Sequence, residues 1–260
     1  MRKIAALVEV ELKRMLIAKS TYIYAVIYFA SYIISAVYFK LYGTEGSVLK
    51  VGNTQSFPIQ HLQTSYLTTG IFLAIYVAYI IIQERTKGTI KLVLLRSISR
   101  MEYYMSKIIS IFLFSVLLTL MMIILSYIVG MLFFGWGTEM VFGSLTASGL
   151  KGVLWTLFCG LAFSFAYFAF GLLVMVVSMF VNQIMGSVVI MGGVLIFGEY
   201  AEIFPAIKQF IIFHQMIFFH ADIFEKSASY NLISAFVIGG YCLAFSVLGY
   251  LVFRKKDLIV

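Results

Sequence analysis

The sequence predicts an all-α polytopic membrane protein with six transmembrane helices. Three observations carry that prediction: scarce charge, long uncharged windows, and uneven placement of Lys and Arg. Of 260 residues, 62% are apolar and 12% charged, against about 45–50% and ~25% in soluble domains. A soluble fold with so little polar surface could not cover itself. Uncharged windows run over 20–39, 51–83, 108–138, 152–198 and 227–253. A crossing helix needs about 20 apolar residues, so four windows hold one crossing each. The 47-residue fourth window (152–198) holds two, folded back near Asn182-Gln183. Outer-membrane strands alternate apolar and polar residues over ~10 positions; residues 108–125 do not alternate, which excludes a barrel.

With the N-terminus inside, fourteen of the 19 Lys and Arg fall on the inner side. The outer side receives Lys40, Lys50, Lys151, Lys208 and Lys226. That bias orients both termini toward the cytoplasm and places the chain in the cell membrane as a multi-pass protein. The net charge of +8 is then accounted for by juxtamembrane contact with anionic membrane lipid, without a nucleic acid.

The elements follow in order within a single transmembrane domain, 1–260. Residues 1–18 form an amphipathic interfacial helix, with Ile4, Leu7, Val8, Leu12, Met15 and Leu16 at three- and four-residue steps. The first span is 20–42, followed by an outer loop carrying Gly43, Gly46, Gly52, Asn53 and Pro58. The second is 62–83. A cytoplasmic connection over 84–106 leads to the third span, 107–134, then a glycine-rich outer turn (Gly135, Gly137, Gly143). The fourth is 150–179 and the fifth 184–198. Residues 199–228 are charged yet rich in Phe and Ile; Ile207, Phe210, Ile211, Ile217 and Phe218 predict short helices in the outer interface or re-entering it. The sixth span, 230–253, ends at Arg254-Lys255-Lys256.

Several chemistries are excluded. No GxxxxGK[ST] phosphate loop is present, so the chain does not hydrolyse ATP itself, and no HExxH is present either. No catalytic residue and no metal site is expected. His214 and His220 lie six apart, about 240° around a helix, and do not converge; they read as polar tips at the interface. Cys159 and Cys242 fall inside spans as small packing residues. All eleven acidic residues lie at or outside span ends, whereas an ion-coupled carrier usually keeps an ionisable residue at mid-membrane.

The cytoplasmic connection is the most informative stretch. Ile90, Val93 and Leu94 make an apolar patch at i, i+3, i+4, ringed by Lys87, Lys91 and Arg96. Such a patch is a surface on which another protein docks, or else a lipid-facing interfacial helix. Ser99 and Glu102 form a capping box that starts the next helix. The order Glu84-x-x-x-Gly88-Thr89, then Leu94-Leu95, then Ser99-Arg100, with Lys107 opening the next span, resembles the permease subunits of ATP-binding-cassette transporters of the type-2 exporter class. Ile98 stands where that family often has proline. The resemblance extends along the whole chain as an architecture. It implies a homodimeric permease, moved by two copies of a separate ATPase subunit that binds ATP and magnesium. It also assigns coupling to that ATPase to Glu84, Gly88, Thr89, Ile90, Lys91, Val93, Leu94 and Arg96.

Hydroxyls recur on the first span at Thr21, Tyr24, Tyr28, Ser31, Ser35, Tyr38 and Tyr42, all on one helical face. That face serves either helix packing or the lining of a translocation path. The path reading takes Tyr24, Tyr28, Ser31 and Ser35, with Tyr76 and Tyr79 of the second span opposite. The aromatic content, 17% of residues, supplies broad faces for apolar and cationic groups. The expected function is therefore an ATP-driven export permease for an amphipathic peptide (an antimicrobial peptide among them), a lipid-like compound or a drug. An ATPase-independent secondary carrier or channel is the alternative.

Overall fold

A computed structural model of the protein describes residues 2–44, 47, 49–90 and 98–255. The described chain is helical apart from one small hairpin. Its elements are α1 (Arg2–Ile17), α2 (Lys19–Tyr42), α3 (Phe57–Thr64), α4 (Tyr66–Thr86), α5 (Arg100–Phe134), β1 (Met140–Phe142), β2 (Leu145–Ala147), α6 (Leu150–Phe180), α7 (Ile184–Glu199), α8 (Ile212–Glu225) and α9 (Ala228–Lys255). Two 3₁₀ turns, Tyr200–Ile203 and Lys208–Phe210, join α7 to α8.

Five of these helices, α2, α4, α5, α6 and α9, are long and apolar enough to cross a membrane. The expected fifth span is α7, which has 16 residues and rises only about 24 Å at ~1.5 Å per residue. The second span begins later than expected. Pro58 at the start of α3 favours a separate short helix, which closes at Ser65 before α4 begins. The third begins earlier, because the capping box is made: Ser99 Oγ accepts from Glu102 N at 3.1 Å, and Ser99 N donates to Glu102 Oε2 at 2.8 Å. The fold-back after α6 falls at residues 181–183, as the Asn182-Gln183 position predicts.

Helices α4 and α6 are the centre: 67% of the most apolar window of each is buried, against 22% for α2 and 17% for α9. The flanking helices turn Val26, Ile34, Phe236 and Leu243 outward, an apolar surface suited to lipid rather than water. Between α4 and α7, Gly70 leaves room for Leu195, whose carbonyl also accepts from the Tyr66 hydroxyl at 2.9 Å. The Arg85 guanidinium donates to the carbonyls of Met179 and Val181, satisfying acceptors that the end of α6 would leave bare. Arg100 does the same for Arg254 O at 3.3 Å at the end of α9.

The glycine-rich turn after α5 is a hairpin rather than a plain loop. Phe142 pairs with Leu145 across the two-residue turn Gly143-Ser144, and Gly143 takes the left-handed φ of 58° that such a turn requires. Residues before α3 dock against it through neutral groups. Gln55 Nε2 donates to Gly137 O at 2.9 Å, its Oε1 accepts from Gly149 N at 2.9 Å, and Ser56 Oγ accepts from Val141 N at 2.8 Å. Helix α8 packs against α6 and α9 beneath this cap. There His214 and His220 are buried, contrary to the expected interfacial tips. His214 Nε2 lies 3.2 Å from the Tyr230 hydroxyl, and His220 sits between Phe142 and Phe163. The apolar face of α8 (Ile212, Met216, Ile217) carries them inward, while Ile207 and Phe210 of the preceding turns stay exposed.

Candidate functional site

The end of α4 explains the Glu84-x-x-x-Gly88-Thr89 pattern in local terms. Gly88 takes a φ of 66°, open to glycine and costly for other residues, and reverses the chain. The Thr89 hydroxyl then donates back to the Glu84 carbonyl at 3.1 Å. Ile90, next along, is 6% exposed and packs inward with Ile81, Tyr103, Met175 and Phe253 around a cavity of about 30 Å³. It does not offer itself as an exposed docking residue, because the reversal at Gly88 aims it back at the bundle. Lys91, Val93, Leu94 and Arg96 lie outside the described residues.

Glu84 turns inward as well, into a buried ion cluster joining α1, α4 and α5. Lys107 Nζ lies 2.8 Å from Glu11 Oε1 and 2.8 Å from Glu84 Oε2. Arg14 Nη1 lies 2.9 Å from Glu84 Oε1 and 3.3 Å from Glu11 Oε1. The Tyr103 hydroxyl donates to Glu84 Oε2 at 2.5 Å, and the Lys107 ammonium stands 5.1 Å from the Tyr103 ring centroid. Two carboxylates meet two cations, so the cluster is formally neutral, which is what makes a 3%-exposed lysine tolerable. Glu11, Arg14 and Tyr103 were not among the residues singled out from the sequence. The signal was there for one of them: Glu11 shares the face of Val8 and Met15, the buried side of α1, where an unpaired carboxylate would be costly.

Beside the cluster, the junction between α1 and α2 forms an elbow. Ala18 is extended between the two helices, and the Thr21 hydroxyl donates to Met15 O at 2.6 Å to hold the bend. The elbow opens onto a cleft of about 540 Å³. Tyr24, Tyr76 and Tyr79 all line it, with Lys13, Arg14 and Lys19 around it and Ile184 of α7 as the far wall. Three of the six residues assigned to a translocation path therefore meet in one cavity. Tyr24 stacks on Phe72 at 4.1 Å and Tyr76 on Phe114 at 3.7 Å, so both rings are fixed.

The other three lie elsewhere. Tyr28 is buried against α4, its hydroxyl 2.8 Å from that of Thr69. Ser31 is exposed and bonds its own helix at Tyr28 O, and Ser35 is half-buried on the same outer side. The buried face of α2 runs Tyr24, Tyr28, Tyr32, Ala36. A step of four, not the alternating three and four of the hydroxyl pattern, follows the inward side. Tyr38 and Tyr42 are accordingly exposed.

Among the described residues, no group of three or more His, Cys, Asp or Glu side chains is placed to hold a metal. Cys159 and Cys242 are free thiols.

Comparison with known proteins adds relatedness without a role. Over 73 residues the chain is 44% identical to the uncharacterized protein YhcI of Bacillus subtilis (strain 168), an alignment that takes in 28% of this chain and only 23% of that protein. A family model described as "Protein of unknown function (DUF2705)" matches residues 22–259, from the first turn of α2 to the end of the chain, and the protein belongs to that family.

Proposed function

We propose that the chain is the transmembrane permease of an ATP-driven exporter, working as a homodimer with two copies of an ATP-binding-cassette ATPase. In that layout α7 is a sixth crossing, both termini face the cytoplasm, and an amphipathic molecule is the cargo. The ATPase carries ATP and magnesium; this chain supplies binding and movement. The observation that supports the reading is the ion cluster. It ties the end of α4, from which the segment over 87–99 departs, to α1 and hence to the elbow beside the tyrosine-lined cleft. A push on that segment would reach the cleft through charge pairs rather than through soft apolar contact.

The test is affinity purification of the tagged full-length chain from its native membrane, followed by ATPase assay. The expected result is an ATPase subunit recovered in equal amount. Its hydrolysis rises with amphipathic compounds and loses that response in Lys107→Met, which breaks the link on the permease side. Recovery of the chain without any ATPase, together with solute flux in vesicles lacking ATP, would replace this reading with an ATPase-independent carrier or channel.

A further inference from the structure

We infer that the elbow cleft is a binding site for the phosphate-bearing headgroup of an anionic membrane lipid, with one acyl chain laid along its tyrosine wall. The inference begins from the groups that line the cleft. Its walls carry three cations, Lys13, Arg14 and Lys19, and no carboxylate. Lys13 is paired with Glu9 at 2.7 Å and Arg14 with Glu84 at 2.9 Å. Lys19 has no acidic partner among the described residues, so the rim keeps a net positive charge.

Two further sets of donors border the same space. Helix α2 starts here, and its N-cap residue, Ala18, has no side-chain oxygen to accept from the N–H groups of the first turn. Thr21 N already donates to Ala18 O at 3.0 Å; the N–H groups of Lys19 and Ser20 and the positive end of the helix dipole favour an anion. The Tyr76 side chain, 8% exposed, lines the cleft, and its hydroxyl, buried beneath the cleft surface, has no hydrogen-bond partner among the described residues. A buried hydroxyl left without a partner is costly; an acceptor oxygen in the cleft would satisfy it. Ammonium, bare helix N–H groups and a phenolic donor make a set suited to phosphate oxygens.

The remainder of the lining decides between a free anion and a lipid. Ile17, Ile75, Tyr24 and Ile184 make an apolar wall, which a small hydrated phosphate would not use and an acyl chain would. The same cations disfavour a cationic cargo at this place, despite the affinity of aromatic faces for cations. Binding can be measured on this chain alone, so the inference does not depend on an ATPase partner or on transport.

The experiment is native mass spectrometry of the full-length chain in neutral detergent, titrated with phosphatidylglycerol, phosphatidylcholine, glycerol 3-phosphate and inorganic phosphate. Phosphatidylglycerol is expected to be retained about tenfold better than phosphatidylcholine, with neither soluble phosphate retained. Lys19→Gln should lower that retention about tenfold, the usual weight of one charge-assisted contact. Tyr76→Phe should lower it about threefold while leaving the melting temperature of the lipid-free protein unchanged or higher, because its hydroxyl is unpartnered without a ligand. Lys151→Gln, at the opposite end of the bundle, is the control and should bind as the parent does. Equal retention of the two lipids, or full retention in Lys19→Gln, would reduce the interaction to a nonspecific annulus and overturn the site. Binding of inorganic phosphate as strong as that of the lipid would overturn the lipid assignment.

Discussion

The two ends of the bundle are held together by different chemistry. At the end where α1 meets α4 and α5, the fastening is ionic: Glu11, Arg14, Glu84 and Lys107 bring together two carboxylates and two cations, with Lys107 and both carboxylates largely shielded and Arg14 half-exposed. At the other end, the loop before α3 is fastened to the hairpin and to its own helix by neutral groups. Asn53, Gln55, Ser56 and Gln60 bond backbone N–H and C=O groups. Neutral amide bonds cost little to bury once made, and gain little from rearrangement. Buried ions are worth much to each other and lose heavily when one is withdrawn. The neutral end therefore suits a fixed cap, and the ionic end suits a joint that holds firmly in one arrangement and yields as a unit.

That contrast can be broken most forcefully at Lys107. Replacing it with Met leaves Glu11 and Glu84 facing each other with only Arg14 between them, and should cost about 3–5 kcal/mol of stability. Thermal unfolding in detergent would register it as a large drop in midpoint. The comparison is sharpened by adding Glu11→Leu to that variant, which leaves Glu84 paired with Arg14 at 2.9 Å and the cluster neutral again. If the loss comes from uncompensated charge, most of the stability returns in the double variant. A double variant as unstable as the single one would mean that the cluster is needed for shape rather than charge balance.

At the neutral end, Gln60→Ala is the corresponding change, and a smaller effect is expected. Gln60 Oε1 accepts from Lys50 N at 2.6 Å and Val51 N at 3.3 Å, while Nε2 donates to Val51 O at 3.1 Å and Ser56 O at 3.0 Å. Its loss should cost about 1–3 kcal/mol and speed proteolysis in the loop ahead of α3. The end where α1 packs should exchange its amide hydrogens no faster than before.

The smallest effect is one of pH, and it too belongs to the neutral end. Burial pushes His61 down to about 3 and His220 down to about 4. Both stay neutral in the folded protein over a range where an unfolded histidine takes up a proton. The unfolded state then binds more protons, so stability falls as pH drops below about 6.5 and continues falling toward the folded values. At pH 5.5 each histidine should account for about 1–2 kcal/mol. Unfolding midpoints measured at pH 7.5, 6.5 and 5.5 should decline more gently in His61→Gln. A parallel decline in parent and variant would remove His61 from the account.

What could be read from the sequence was what neighbours along the chain decide. The capping box at Ser99 and Glu102, the reversal at 181–183 and the amphipathic first helix depend on residues within a few positions of one another, and they stand as read. The ion cluster depends on three elements whose members are 70 and 96 positions apart, so no local pattern announces it; Lys107 could be placed in a motif without its partners being visible. On α2 the hydroxyl pattern repeats every seven residues, whereas the inward side follows 24, 28, 32, 36. Packing against α5 chose a row that includes Tyr32 and Ala36 and left Ser31 and Ser35 outside. Ile90 shows the same limit: its apolar spacing with Val93 and Leu94 was legible, but the turn at Gly88 determines which way it points.

One consequence of α7 concerns the membrane rather than the protein. Helix α5 has 35 residues and α7 has 16, a difference of about 28 Å in length at 1.5 Å per residue. A hydrocarbon layer of ~30 Å cannot match both at once. In the six-crossing layout the lipid beside α7 must thin by several ångströms, at a cost of a fraction of a kcal/mol for each, while α5 tilts or protrudes. Ile184, the first residue of α7, is also a wall of the elbow cleft. The thinnest point of the surrounding bilayer would then lie against the tyrosine-lined elbow cleft, and a thicker, more ordered membrane would press on that place first.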